Sequence, residues 1–127
     1  MLDLSLIEQQ ISRDPRILAA YVLGSAVSGH MRPDSDLDIA ILPVAAKPLS
    51  QADIMELSAT LTLVAGRSVD LGVLSSHNLI YASETILKGE RFFCRDAFRT
   101  DLAVATLLGL TAQYKFERKE IVHAYTA

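Results

Sequence analysis

The chain has 127 residues, half of them hydrophobic, with 12 Lys and Arg against 15 Asp and Glu and a formal net charge of −3. That length fits one domain over residues 1–127 with a single core, and leaves no room for a catalytic domain plus a separate substrate-reading domain. The acidic balance argues against direct, sequence-independent nucleic-acid binding, the lone Cys94 excludes an internal disulfide, and no apolar run approaches the ~18 residues of a membrane helix.

No signal-peptide pattern opens the chain, so cytoplasmic residence is expected. Leu4, Ile7 and Ile11 lie on one helical stripe, which predicts an amphipathic helix ending before Pro15. Ile17–Leu23 is the first strand. Leu37–Leu42 is the second, reached through the loop that follows Gly24 and Ser25. Pro43 and Pro48 mark a connection, and Ser50 with Asp53 three residues on reads as the N-cap of a helix. This helix turns Ile54, Leu57, Leu61 and Val64 inward and ends at Gly66. A third strand covers Val69–Leu74. A helix from about Asn78 to Lys88 is closed by Gly89, a short extended piece runs through Phe93, and a long helix occupies about Arg99–Tyr125. The expected fold is α/β (α+β): a small mixed sheet flanked by helices, with a long C-terminal helix.

The segment LGSAVSGHMRPDSDLDIAIL concentrates the chemistry. Asp36 and Asp38 share one face of an extended chain, because side chains at i and i+2 point the same way. Aspartate is poorly suited to a strand interior, and two carboxylates about 7 Å apart, from a rise of about 3.3 Å per residue, repel unless a cation lies between them. Asp70 recurs in RSVDLGVL, alternating with Val69, Leu71 and Val73. Three carboxylates on two strands suit a pair of hard divalent ions, the arrangement used for in-line displacement at phosphorus. Gly24 permits close approach of the backbone, Ser25 offers a hydroxyl and an N–H, and a helix beginning over Ala26–Gly29 would aim free N–H groups at the same anion.

Gly24-Ser25, a ten-residue gap, Asp36-x-Asp38 and the later Asp70 resemble the nucleotidyltransferases of the DNA polymerase β-like superfamily. At this size the chain looks like the minimal nucleotidyltransferases, the MntA type of antitoxin encoded beside a HEPN toxin. The segment Ile86–Glu90 before Phe92-Phe93 and the final helix with Tyr114, Glu117 and Arg118 are similar to the corresponding parts of that group. The resemblance implies transfer of AMP from ATP to a hydroxyl, a tyrosine of the partner HEPN toxin, in a type VII toxin–antitoxin pair that forms a hetero-oligomer. It further implies two Mg²⁺ ions held by Asp36, Asp38 and Asp70, with Asp70 assisting the acceptor hydroxyl, and β/γ-phosphates held by Gly24 and Ser25. Many relatives carry an arginine two residues after the position of Ala26. This chain has Ser28 there, and Arg32 or His30 in the same loop are the available cations. Two other readings stand beside this one: an antitoxin that acts by stoichiometric binding, and an enzyme that modifies a small molecule such as an aminoglycoside.

Arg118, His123 and Tyr125 match the Arg-x4-His-x-Tyr ribonuclease pattern of HEPN proteins. Three strand signals upstream exclude that all-helical fold, and on a continuous helix His123 points about 160° away from Tyr125. A polar helix face is expected instead. His77 and His30 are read as solvated loop residues, and Tyr81 and Tyr114 as packing residues with surface hydroxyls outside the site.

Overall fold

The computed structural model describes residues 3–29 and 32–126. Among the described residues nine elements follow in order: α1 (Ser5–Ser12), β1 (Ile17–Val22), α2 (Ser25–Ser28), β2 (Leu37–Pro43), α3 (Gln51–Ala65), β3 (Val69–Val73), α4 (Leu79–Lys88), β4 (Glu90–Cys94) and α5 (Ala97–Thr126). The strands form one sheet in the order β3-β2-β1-β4. β1 pairs antiparallel with β2 and with β4, and β2 pairs parallel with β3. The mixed sheet and the long final helix agree with the expectation from sequence.

Each face of the sheet carries its own core. Alternate residues Leu37, Ile39 and Ile41 of β2 pack with Ile7, Ile11, Leu57 and Leu61 of α1 and α3. The intervening Ala40 and Leu42 pack with Tyr21, Leu74, Ala82 and Leu107 beneath α4 and α5. Burying an Ile or Leu completely contributes about 1.5–3 kcal/mol, and Ile11, Ile17, Ile39, Ile41 and Leu61 are all fully enclosed. The period-two pattern therefore fixes which face of β2 meets which layer.

Local signals set several boundaries. Ser50 accepts from the Asp53 N–H at 3.1 Å while the Asp53 carboxylate accepts from the Ser50 N–H at 2.9 Å, a reciprocal capping box. Gly66 ends α3 with a left-handed φ of 70°. Gly89 closes α4, as expected, with an extended backbone of φ −78° and ψ 174°. Glycine is required there by crowding, because a Cβ would lie 2.6 Å from the Thr85 carbonyl oxygen and 3.1 Å from that of Val22.

β3 lies at the sheet edge, and side chains of its neighbours hold it in place. Val69 donates to Thr62 Oγ1 (3.1 Å) and accepts from Ser58 Oγ (2.9 Å), and Asn78 Nδ2 donates to the Val73 carbonyl (2.9 Å). Backbone groups of an edge strand that are already bonded cannot recruit another strand. The strand carrying Asp70 is thereby tied to α3 and α4.

Across the sheet, Arg95 anchors the turn into α5. Its guanidinium donates to the carbonyls of Ile17 (2.8 Å), Asp14 (2.9 Å) and Ser12 (3.0 Å) and lies over the Phe93 ring. α5 packs on α4 through Leu107 and Thr111. From Ala112 onward every described residue of α5 is exposed, and the helix continues unbroken past His123 and Tyr125. The Arg118, His123 and Tyr125 set therefore does not converge. Among the described residues no helix is long and apolar enough to cross a membrane.

Candidate active site

Asp38 and Asp70 are brought together by register. In the parallel ladder Leu37 opposes Val69, Asp38 opposes Asp70, and Ala40 opposes Gly72. Both carboxylates lie on the face covered farther along by α4 and α5, at the open end where that cover stops. Asp36 sits just before β2 and is exposed. Its charge still reaches the pair: burial first, then the charges of Asp70 and Asp36, push the Asp38 carboxyl above its usual range. Two of the three expected carboxylates thus form a cross-strand pair, and the third stands at its rim. Among the described residues no group of three or more His, Cys, Asp or Glu side chains is gathered closely enough to enclose a metal ion.

Gly24 abuts the same carboxylate from the next strand. It follows β1 with φ 62° and ψ −132°, a conformation open to glycine and costly for other residues. A Cβ there would lie 3.0 Å from Asp38 Oδ2. The Leu23 N–H donates to the Asp38 carbonyl at 3.1 Å, which locks the end of β1 to β2. Ser25, half-buried, opens the single turn of α2, one residue earlier than the Ala26 start expected from sequence. Crossing the sheet from β1 to β3, one meets Gly24, Asp38 and Asp70 in turn.

In the loop before β2, Arg32 is exposed, and its backbone is held by Ser35 Oγ and, at 3.4 Å, by the Arg67 guanidinium. His30 lies outside the described residues. His77 is an exposed loop residue, as expected.

Tyr81 corrects the expectation that it lies apart from the site. Its ring reaches down from α4 onto β3, where a Cβ at Gly72 would run into its hydroxyl and ring carbons. Gly72 follows Asp70 by two residues and so shares its face. Burial raises the Tyr81 phenol pKa, and the charges of Asp70 and Asp38 raise it further, while the neighbouring Thr85 hydroxyl acts in the opposite sense. Leu23, Asp38, Asp70 and Gly72 on the sheet and Tyr81, Glu84 and Thr85 on α4 line one cavity of about 390 Å³. The signal for Tyr81 was the small pair Ala40 and Gly72, each two residues beyond a site aspartate, leaving room for a large ring. Sequence alone did not say which helix would fill it.

Comparisons with known proteins fit this geometry. A family model described as polymerase beta, nucleotidyltransferase, matches residues 6–98. No curated protein sequence matches the chain. A chain of a crystal structure described as a toxin–antitoxin with AMP-PNP superposes with a TM-score of 0.81 at 23% identity, covering 99% of this chain and 100% of that one. A chain of the MntA-HepT toxin–antitoxin complex gives 0.71 at 21% identity, covering 95% and 94%. A chain of a tri-AMPylated Shewanella oneidensis HEPN toxin in complex with an MNT antitoxin gives 0.72 at 21%, covering 95% and 93%. At these identities the likeness shows a shared fold. With the family model running from α1 into the start of α5 and thus over most of the chain, the protein belongs to the polymerase β nucleotidyltransferase family.

Proposed function

We propose that this chain is a Mg²⁺-dependent nucleotidyltransferase that moves AMP from ATP onto a tyrosine hydroxyl of a HEPN toxin, to which it binds as the antitoxin of a type VII pair. The observation that carries the reading is the opposition of Asp38 and Asp70 beside Gly24. Hard carboxylate oxygens on one face, with the Asp38 carboxyl raised by burial and then by the charges of Asp70 and Asp36, are a donor set suited to Mg²⁺. Bound there, Mg²⁺ would supply the positive charge that offsets the phosphates and the attacking oxygen. Asp36 and Asp38 are the residues that would hold the nucleotide-side ion, and two ions in all are the expectation.

Position supports the remaining roles. Gly24 and Ser25 hold the β- and γ-phosphates at the end of β1. Asp70 would hold the catalytic ion on the acceptor's side of the α-phosphate, where it lowers the acceptor hydroxyl's proton affinity or takes its proton. The acceptor oxygen bonds to the α-phosphorus, the bond from that phosphorus to the bridging oxygen breaks, and pyrophosphate leaves. Groups fixed before the reaction stabilise the charge that develops during it. The toxin partner and the AMP donor are supported by the neighbouring structures, which come from toxin–antitoxin complexes, one with AMP-PNP and one with a tri-AMPylated toxin.

Intact-mass measurement of a HEPN protein encoded beside this chain, after incubation with the protein, ATP and Mg²⁺, tests the reading. The toxin should gain one or more AMP masses. A toxin that stays unmodified with ATP, CTP, GTP and UTP, yet is silenced on mixing, would favour stoichiometric binding instead. Ser28, standing where many relatives have an arginine, is the feature that favours this second reading.

A further inference from the structure

We infer that the cavity under Tyr81 receives the ribose of the donor nucleotide, and that the Thr85 and Tyr81 hydroxyls read the sugar hydroxyls; the inference rests on the nucleotidyltransferase reading above. In-line displacement fixes two directions at the α-phosphorus, with the leaving pyrophosphate and the attacking oxygen on opposite sides. Gly24, Asp38 and Asp70 follow one another across β1, β2 and β3, so that axis runs across the strands. The nucleoside is the phosphorus substituent that must leave this axis. The cavity has Asp38 and Asp70 in its wall and extends from them over Gly72, along the strands, to Tyr81, Glu84 and Thr85 on α4. Its volume of about 390 Å³ falls in the range of small-ligand pockets.

An independent observation marks the cavity as polar by design. Thr85 is fully buried, yet its Oγ1 has no hydrogen-bond partner of adequate geometry, although the Tyr81 phenol lies against it. A buried hydroxyl left unpartnered weakens a fold, and a valine of the same shape would avoid the penalty. A ribose hydroxyl both donates and accepts, and so would satisfy Thr85. Gly72 makes the arrangement possible, since any side chain there would expel the Tyr81 ring. Glu84 at the rim, held by Lys88 at 2.8 Å, leaves carboxylate oxygen available to accept from the sugar.

The test is calorimetric binding of Mg·ATP, Mg·2′-deoxy-ATP and Mg·3′-deoxy-ATP to the purified protein. Wild type should prefer ATP over at least one deoxy analogue by roughly three- to ten-fold, as for one net hydrogen bond. Thr85→Val should lower ATP affinity to the level of that analogue, leave the analogue's own affinity unchanged, and not lower the melting temperature of the empty protein. Thr85→Ser should keep the preference. If Thr85→Val does not fold, Tyr81→Phe is read in the same way. Equal affinities in wild type, or an undiminished preference in the variants, would overturn the inference while leaving the nucleotidyltransferase reading intact. Failure of wild type to bind any of the three nucleotides would overturn that reading and the inference with it.

Discussion

Asp38 and Asp70 occupy opposed positions of the parallel β2–β3 ladder, and burial together with the like charges of Asp70 and of Asp36 at the rim raises the Asp38 carboxyl. A carboxyl whose pKa is raised by folding destabilises the fold once it ionises. The loss appears as pH rises above the unfolded value near 3.9 and is complete above the folded value. In metal-free buffer near pH 7, Asp38→Asn should therefore raise the melting temperature by about 1–3 °C. The same substitution should lower AMP transfer by more than ~100-fold, because losses one shell farther from a metal already reach 10–100-fold. Transfer within a few-fold of wild type would contradict the role given to Asp38.

Asp70→Asn should separate binding from chemistry. Asp36 and Asp38 would still hold the ion that accompanies the triphosphate, whereas Asp70 comes from the neighbouring strand and faces the acceptor. Mg·ATP affinity should stay within a few-fold while kcat falls steeply, as for an interaction made in the transition state. Calorimetry beside single-turnover labelling reads both quantities. Joint loss of binding and turnover would make Asp70 a nucleotide-site residue.

Gly24→Ala should cost about 1–3 kcal/mol in stability, from strain at φ 62°. It should also reduce transfer by at least about ten-fold, because a Cβ 3.0 Å from Asp38 Oδ2 fills the space that the phosphates would occupy. Urea denaturation and labelling rates check the two effects separately.

Gly72→Ala should destabilise the protein by about 1–3 kcal/mol through overpacking against Tyr81. In a Tyr81→Ala background the same change should cost little. A double-mutant cycle with a coupling below about 0.5 kcal/mol would mean that the Tyr81 ring does not rest on Gly72.

Asp14 is held by Arg16, whose backbone N–H and guanidinium donate to it at 2.8–3.0 Å, and Arg16 also bridges to Asp53 at 3.2 Å. Those hydrogen bonds, the guanidinium's first, hold the Asp14 carboxyl below its usual range despite partial burial. A lowered folded pKa contributes stability that is complete above the unfolded value and is lost as pH falls through the folded one. Asp14→Asn should therefore cost about 1 kcal/mol at pH 7, a figure reduced for the partial exposure of Arg16, and almost nothing once the pH has fallen below the lowered folded value. A difference that persists at low pH would assign the effect to packing.

Much of the frame was legible because its causes are local. The capping box of Ser50 and Asp53, the left-handed Gly66 and the alternation of β2 each depend on a few adjacent residues, and each matches the structure. Gly89 shows the limit of that reasoning. Its place after the helix marks it as the residue that closes α4, but the reason it must be glycine, the approach of the Val22 and Thr85 carbonyls, comes from another strand as well as from the helix. Tyr81 shows it again, since nothing within α4 indicates that its hydroxyl will rest on a glycine of β3.

The sequence by itself determined which residues carry chemistry: Gly24, Ser25, Asp36, Asp38 and Asp70 stand out because glycine at a strand end and aspartate beside strand apolar runs are costly without a purpose. Only the tertiary structure decided that Asp38 opposes Asp70, that Asp36 falls outside the strand, and that Tyr81 and Thr85 close a cavity beside them. Backbone preference acts over a few residues and is written in them. Register and cavity shape come from packing between elements far apart in the chain, where many pairings satisfy the same local pattern and only burial of the whole core selects one.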